Sequence, residues 1–367
     1  MRTKKPNVGI FIYDFFPFVG GQGKHLYQLY KQNMQEERVK MFIFSPHKND
    51  LTNHIPLFLS TKKSKFKNIA YSIYLQNKIE SLIREYHLDL VHIHGGPGGL
   101  FLLKRLSVPS IFTSHHTYWQ QYHYVKGEHW KKIFYILEKI SYQKVNKIIS
   151  VSNDTRKVLI DRYGIDNKRI TYIPNGIHTG ESFSKKSESE QLSNILYVGR
   201  IDKRKGTDFL VKSMKPIHKK NPGIVLYIVG EGKDKKTLET YSKQNNLPIK
   251  FLGYLPDSDI NELYKKISVQ IVPSIFEGFG ITVLEGMARG IPIIATEVDG
   301  IKSIIKNNST GILVTYGDTN GLADAVINLV NDLPLQKKIT TNAHRQLHHY
   351  NWKNVYIRTI KLYEELI

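Results

Sequence analysis

Short apolar runs recur along the chain, each followed by a stretch in which apolar residues return every third or fourth position. The runs at 7–13 (NVGIFIY), 39–45, 90–94 (LVHIH), 109–113, 148–151 (IISV) and 170–173 read as buried strands, and so do those at 195–198, 225–229, 249–252, 269–272, 292–295 and 311–314. Helical spacing fills the intervals: Leu26, Leu29 and Tyr30 after a glycine cluster, then 69–86, 97–106 and 153–163, and later segments beginning near 207 and 281. The chain becomes helical after Asn320 and ends in a helix over 355–366. Strands alternating with helices at this pitch predict an α/β protein with doubly wound parallel sheets. Ligands of such sheets gather at the carboxyl ends of strands, a rim that Gly20, His94, Gly95, His115 and His116 would share.

With 367 residues, two domains are expected. The pattern stops at PNGIHTGESFSKKSESEQ, a polar stretch containing Pro174 and Gly176 that reads as a linker. The expected division is 1–174, a linker over 175–190, a second domain over 191–346 and a terminal helical segment over 347–367.

The densest candidate chemistry lies at 273–290, PSIFEGFGITVLEGMARG. A strand turns through Gly278 and Gly280 into a helix, leaving backbone N–H groups at the positive end of that helix, where a phosphate can sit. Glu277 and Glu285 flank this anion site and would repel a phosphate. Sugar hydroxyls suit them, because an ionised carboxylate only accepts hydrogen bonds and a vicinal diol supplies two donors. A diphosphate with a sugar on either side is the ligand this describes. The run GRIDKRKG after 195–198 adds Arg200 and Lys205, cations able to neutralise charge on a departing diphosphate. Lys203 and Arg204, between them, are expected to be solvated. Gly230 and Gly232, in GEGKD, allow close approach of a nucleoside.

The Glu277 and Glu285 spacing with its glycines, Gly199-Arg200 with Lys205-Gly206, the Pro-Asn-Gly-Ile at 174–177 and FTSHHTYW after 109–113 together resemble the retaining GT-B glycosyltransferases, in particular glycosyltransferase family 4 (glycosyl transferases group 1). The resemblance implies a GT-B fold, two Rossmann-like doubly wound domains facing a central cleft, with the acceptor on the first and the nucleotide sugar on the second. It implies Glu277 and His115 as catalytic groups that contact the transferred sugar with Gly278, Phe279 and Gly280. Arg200, Lys205, Gly20, Gly21, Gly280, Ile281 and Thr282 would hold the diphosphate, Glu285 the ribose, and Gly230, Leu252, Gly253 and Tyr254 the base. His116 stands where the family has an aspartate, so no acid or base role transfers to that pair. The donor implied is a UDP- or GDP-linked sugar, with no permanently bound cofactor. No metal is expected: Asp257 and Asp259 form an Asp-x-Asp, but in the first turn of a helix, where acids are favoured. A nucleotide-sugar epimerase or a phosphorylase on the same architecture is the alternative enzyme.

Charge and cysteine content complete the picture. The formal charge is +21, and residues 1–190 hold 29 Lys and Arg against 15 Asp and Glu, the remainder 24 against 17. The absence of cysteine excludes disulfides, thiolate metal sites and a catalytic thiol. No segment approaches 18 apolar residues, so a soluble, cytoplasmic protein is expected. Between 118 and 147 aromatics (Trp119, Tyr122, Tyr124, Trp130, Phe134, Tyr135) mix with Lys126, Lys131, Lys132 and Lys139, and KKSKFKNIAYSIY from Lys62 is a second basic patch. Such patches suit an anionic membrane surface and also nucleic acid. The membrane reading accords with a lipid-linked or saccharide acceptor and predicts peripheral attachment. A nucleic-acid partner leaves the glycine turns and glutamates unexplained and is not expected.

Overall fold

Each apolar run forms a strand, and the strands form two wholly parallel sheets. The computed structural model describes residues 5–15, 21–57, 67–96, 99–125, 131–178 and 193–367. The chain divides into two units, Met1–Gly176 with Tyr350–Ile367, and Ile177–His349.

In the first unit, β1 (Asn7–Phe11), β2 (Lys40–Ser45), β3 (His54–Pro56), β4 (Leu90–Gly95), β5 (Ser110–Ser114), β6 (Lys147–Ser150) and β7 (Ile170–Tyr172) lie in the order β3-β2-β1-β4-β5-β6-β7. The helices are α1 (Gly21–Glu36), α2 (Lys67–Glu85), α3 (Tyr118–Tyr124), α4 (Lys132–Lys144) and α5 (Asn153–Asp161). Two apolar cores flank the sheet, one built on Phe11, Phe44, Ile93 and Phe112, the other on Val8, Ile10, Leu90 and Ile111. The second core also takes Trp352, Tyr356 and Tyr363 from the last helix of the chain. Gly176 has room for no side chain because the Trp352 indole occupies the space a Cβ would fill.

The second unit has β8 (Ile195–Val198), β9 (Leu226–Val229), β10 (Ile249–Gly253), β11 (Val269–Val272), β12 (Ile293–Thr296) and β13 (Ile312–Val314), ordered β10-β9-β8-β11-β12-β13. Its helices are α6 (Thr207–Lys220), α7 (Lys235–Gln244), α8 (Asp257–Tyr264), α9 (Ile281–Ala288), α10 (Thr319–Asn331) and α11 (Leu333–Gln346), and the chain ends in α12 (Trp352–Glu364). In each sheet the strand order reverses between two central neighbours, β1 with β4 and β8 with β11. Such a reversal between neighbouring strands is where doubly wound sheets bind ligands.

Three local expectations need correction. Strand β3, with Pro56 at its end, carries no apolar run and is an addition at the sheet edge, paired to β2 from Ile43 to His54. Residues 99–106, expected within a helix, are not helical. Side chains of two helices satisfy their amides instead: Phe101 N–H donates to Ser72 Oγ (3.1 Å), Leu102 N–H to Ser141 Oγ (2.9 Å) and Leu103 N–H to Gln76 Oε1 (2.9 Å). The rest of that expected helix, Pro97 and Gly98, lies outside the described residues, as do Lys62–Lys65, Lys126, Trp130 and residues 179–190 of the expected linker. Finally, α1 begins at Gly21 itself rather than after Gly23.

One buried carboxyl ties α4 to the turn after β5. Glu138 is fully buried; Tyr163 OH and Tyr118 N–H (2.8 Å) both donate to its Oε2, and nearby Tyr142 OH meets Ser114 Oγ at 2.7 Å. Burial pushes this carboxyl up to about 8, against the hydrogen bonds from Tyr163 and Tyr118. A raised folded-state value means stability present below the ordinary carboxyl range and lost as pH rises towards 8. The buried histidines act with opposite sign: burial lowers His25 to about 4 and His92 to about 3, so their contribution is present above the ordinary imidazole value and lost in acid. A Glu138→Gln variant keeps the histidine terms, so the difference between the two proteins isolates the Glu138 term, which approaches about 1.4 kcal/mol per pH unit between the unfolded and folded values of the carboxyl. All three tryptophans lie in the first unit, so fluorescence-monitored urea unfolding reads that unit. As pH rises from about 5 to about 8 the native chain should lose stability relative to Glu138→Gln; parallel slopes in the two proteins would refute the assignment.

Candidate functional site

The two strands at the reversal of the second sheet, β8 and β11, release their chains side by side into residues 199–206 and 273–280. Tyr197, buried on β8, donates its hydroxyl to Arg200 O (2.6 Å) and pins the first loop. Asp202 then accepts from Lys205 N–H (3.0 Å), capping a short 3-10 turn, Lys203–Lys205, before α6. Ile275 N–H donates to Arg204 O (2.9 Å), joining the loops. Gly206 closes the first loop at φ 66°, and a Cβ there would fall well inside contact distance of the Pro273 carbonyl.

The second loop ends at Gly280, whose φ of 100° turns the chain into α9 with no side-chain cap on the helix start. An uncapped start presents partial positive charge to an anion. Gly278, Phe279 and Gly280 are buried, and Ile281 and Thr282 are half-buried. A polar residue inside the apolar strand supports this turn. Gln270, fully buried on β11, donates to Thr282 O (2.9 Å) and accepts from Tyr264 OH (2.9 Å).

Glu277, with its side chain 9% exposed, meets two cations among the described residues. Lys205 Nζ is hydrogen-bonded to its Oε1, and Arg204 Nη1 lies 3.6 Å from its Oε2. Arg204 is 18% exposed and also reaches Phe276 O at 3.5 Å, so the expectation that it is solvated is wrong; Lys203 is exposed. The short turn capped by Asp202 advances about a third of a turn per residue, and it leaves Lys203 facing out while Arg204 and Lys205 both reach Glu277. Burial holds the Lys205 ammonium below its usual value, with Glu277 opposing the shift. Arg200 is 59% exposed and lies 3.7 Å from Asp202.

Glu285, on α9, is half-buried one turn inside the helix, and its carbonyl accepts from Arg289 Nη1 (3.0 Å). Gly230 N–H donates to Gly253 O (2.7 Å), bringing the ends of β9 and β10 together; Leu252 beside them is half-exposed and Tyr254 fully so. Asp257 and Asp259 sit in the first turn of α8.

In the first unit, His94 ends β4 and His115 follows β5, with His94 Nδ1 and His115 Nε2 3.1 Å apart. His25 of α1 packs on both rings, at 5.8 and 5.2 Å between centroids. His92 is held by Tyr363 OH (2.6 Å) and Thr113 Oγ1 (2.7 Å). Burial, then the neighbouring rings, holds His94 and His115 well below the usual imidazole value, so the group is uncharged at neutral pH. His116 is half-buried and Gly21 exposed, while Gly20 lies outside the described residues.

Residues 179–346 match the family model described as Glycosyl transferases group 1, and residues 19–181 match Glycosyltransferase Family 4. This chain is a glycosyltransferase of that family. An uncharacterized glycosyltransferase, MJ1178, of Methanocaldococcus jannaschii is 26% identical over 357 residues, covering 96% of each chain. The fold is that of a sucrose-phosphate synthase from Thermosynechococcus elongatus (TM-score 0.82, 20% identity, 99% of each chain) and of Anabaena HepE, a structure in complex with UDP-glucose (TM-score 0.74, 16% identity, 98% of this chain and 100% of that one).

Three supports of the glycosyltransferase's second-unit loops escaped sequence reasoning: Arg204, Asp202 and Gln270. Asp202 had a readable signal, an acid three residues before Lys205 and four before a glycine. Gln270 was visible only as the one polar residue in a strand otherwise apolar. The close approach at Gly206 supplies a test. Gly206→Ala should cost about 2–4 kcal/mol, whereas Gly290→Ala, at φ 67° with nothing within 4 Å of a new Cβ, should cost only about 1–2 kcal/mol from backbone strain. Calorimetric unfolding compares them; equal losses would show that the Pro273 contact is immaterial.

Proposed function

We propose that this glycosyltransferase is a retaining enzyme that moves a hexose-type sugar from a nucleoside diphosphate to an acceptor hydroxyl. The observation that carries the reading is one carboxylate, Glu277, set between Lys205 and Arg204 at the uncapped start of α9. In it, the amides of residues 280–282 with Lys205 and Arg200 take the diphosphate, Glu277 a hydroxyl of the transferred sugar and Glu285 the ribose diol. Gly230, Leu252, Gly253 and Tyr254 border the base. His115, neutral through burial, serves as a hydrogen-bonding group for the sugar rather than as a charged acid. No second carboxylate is assigned to the far face of the sugar, so attack on the same face, with the departing phosphate taking the acceptor proton, is the mechanism favoured. Charge on that phosphate is stabilised by Lys205, Arg200 and the helix start, groups positioned before the reaction begins.

The UDP-glucose complex of HepE makes UDP-glucose the first donor to try, with UDP-N-acetylglucosamine and GDP-mannose beside it. Glu277→Gln should lower turnover of the accepted donor about hundredfold while nucleoside diphosphate binding is retained. Full activity in that variant would remove Glu277 from the mechanism.

For the acceptor we propose a substrate reached at an anionic membrane surface. No described helix is long and apolar enough to cross a membrane. Helix α4, however, exposes Ile133 (63%) and Ile136 (58%) beside the exposed Lys132, opposite its buried Phe134 and Glu138. Apolar side chains beside lysines on an exposed helix face suit the headgroup boundary. The native chain should float with anionic liposomes at low salt, and Ile133→Ser/Ile136→Ser should float less; a native chain left at the bottom of the gradient rules the surface out.

A further inference from the structure

The cation count around Glu277 carries an inference that rests on the reading above. Lys205 has two claims on it: it is hydrogen-bonded to Glu277 Oε1, and it is a cation assigned to the diphosphate. A diphosphate carries more charge than one carboxylate and draws the ammonium towards itself. Glu277 is nearly buried, and a buried carboxylate that loses its countercharge is costly, so it would take up a proton or swing out of place.

Arg204 is placed to prevent this. Its Nη1 is 3.6 Å from Glu277 Oε2, the oxygen that Lys205 does not hold, and 3.5 Å from the carbonyl of Phe276 in the same turn. Its own carbonyl takes the Ile275 N–H at 2.9 Å, so its backbone is fixed to the loop that carries Glu277. A guanidinium can face a carboxylate oxygen and a carbonyl together, whereas an ammonium acts as a point charge. We propose that Arg204 is a positioning residue, which keeps Glu277 charged and aimed at the donor sugar while Lys205 engages the diphosphate. The two adjacent cations thus divide the work, one for the leaving group and one for the carboxylate.

This division predicts different losses in binding. Dissociation constants for UDP and UDP-glucose, or for GDP and GDP-mannose if the chain takes guanine, are measured by calorimetry on the native chain and on Arg204→Gln, Arg204→Lys and Lys205→Met. Arg204→Gln should leave the affinity for the bare diphosphate within about threefold of native but weaken the sugar conjugate relative to it about tenfold, with a matching loss in donor turnover. Arg204→Lys should recover part of that ratio, which also separates the effect from misfolding. Lys205→Met should weaken both ligands together. Equal weakening of diphosphate and conjugate in Arg204→Gln would make Arg204 a diphosphate ligand and overturn the proposal, as would a ratio unchanged in both Arg204 variants. A native chain that binds neither diphosphates nor conjugates overturns the donor reading itself, a separate outcome.

Discussion

A carboxylate kept nearly dry beside two cations is the constraint on which the second unit depends. Glu277 can be tolerated there because Lys205 and Arg204 neutralise it, and those two residues are in place only because Asp202 caps their turn and Tyr197 pins its start. The glycines answer the same demand. Gly206 lets the cation loop pass against Pro273, and Gly280 lets the carboxylate loop bend into a helix without a capping side chain. Much of what resembles a motif in the sequence is thus the set of close approaches needed to bring opposite charges together beside an open helix start.

Two buried carboxyls show how surroundings assign roles to one residue type. Among the described residues Glu138 has hydroxyl and amide donors but no cation as hydrogen-bond partner, and burial raises its proton affinity until it is neutral below about pH 8. It works as a structural acid joining α4 to the turn after β5. Glu277 faces two cations instead and forms an ion pair, the form in which a carboxylate accepts sugar hydroxyls. Removing the countercharges from Glu277 would push it towards the condition of Glu138.

Strand runs, the alternation with helices and the helix start after Gly280 were legible because they express periodicity and backbone freedom, both written locally. The helix expected over 97–106 was not, because the competing bonds come from Ser72, Gln76 and Ser141 on two other helices. Arg204 was misread for a related reason. In KRK nothing in the sequence separates Arg204 from Lys203, and only the phase of a 3-10 turn decides that Lys203 faces out while Arg204 faces in with Lys205. The linked histidines were half legible: His94 and His115 fall at neighbouring strand ends, whereas His25 and His92 join them through packing that involves α1 and α12.

The histidine group bears on how such an enzyme would meet a polyol. Four imidazoles crowded together cannot all be charged, and burial with mutual repulsion keeps them neutral, so each ring offers one donor and one acceptor nitrogen. Because His94 Nδ1 and His115 Nε2 share one hydrogen bond, choosing the tautomer of one ring fixes the role of the other. His92 is set in turn by the hydroxyls of Tyr363 and Thr113, and its ring packs against His94 at 4.5 Å between centroids. A neutral ring with a preset tautomer selects a hydroxyl by direction, whereas a charged one would attract phosphate without discrimination. The first sheet thus ends in neutral, directional rings and the second in paired charges, each at its own strand ends.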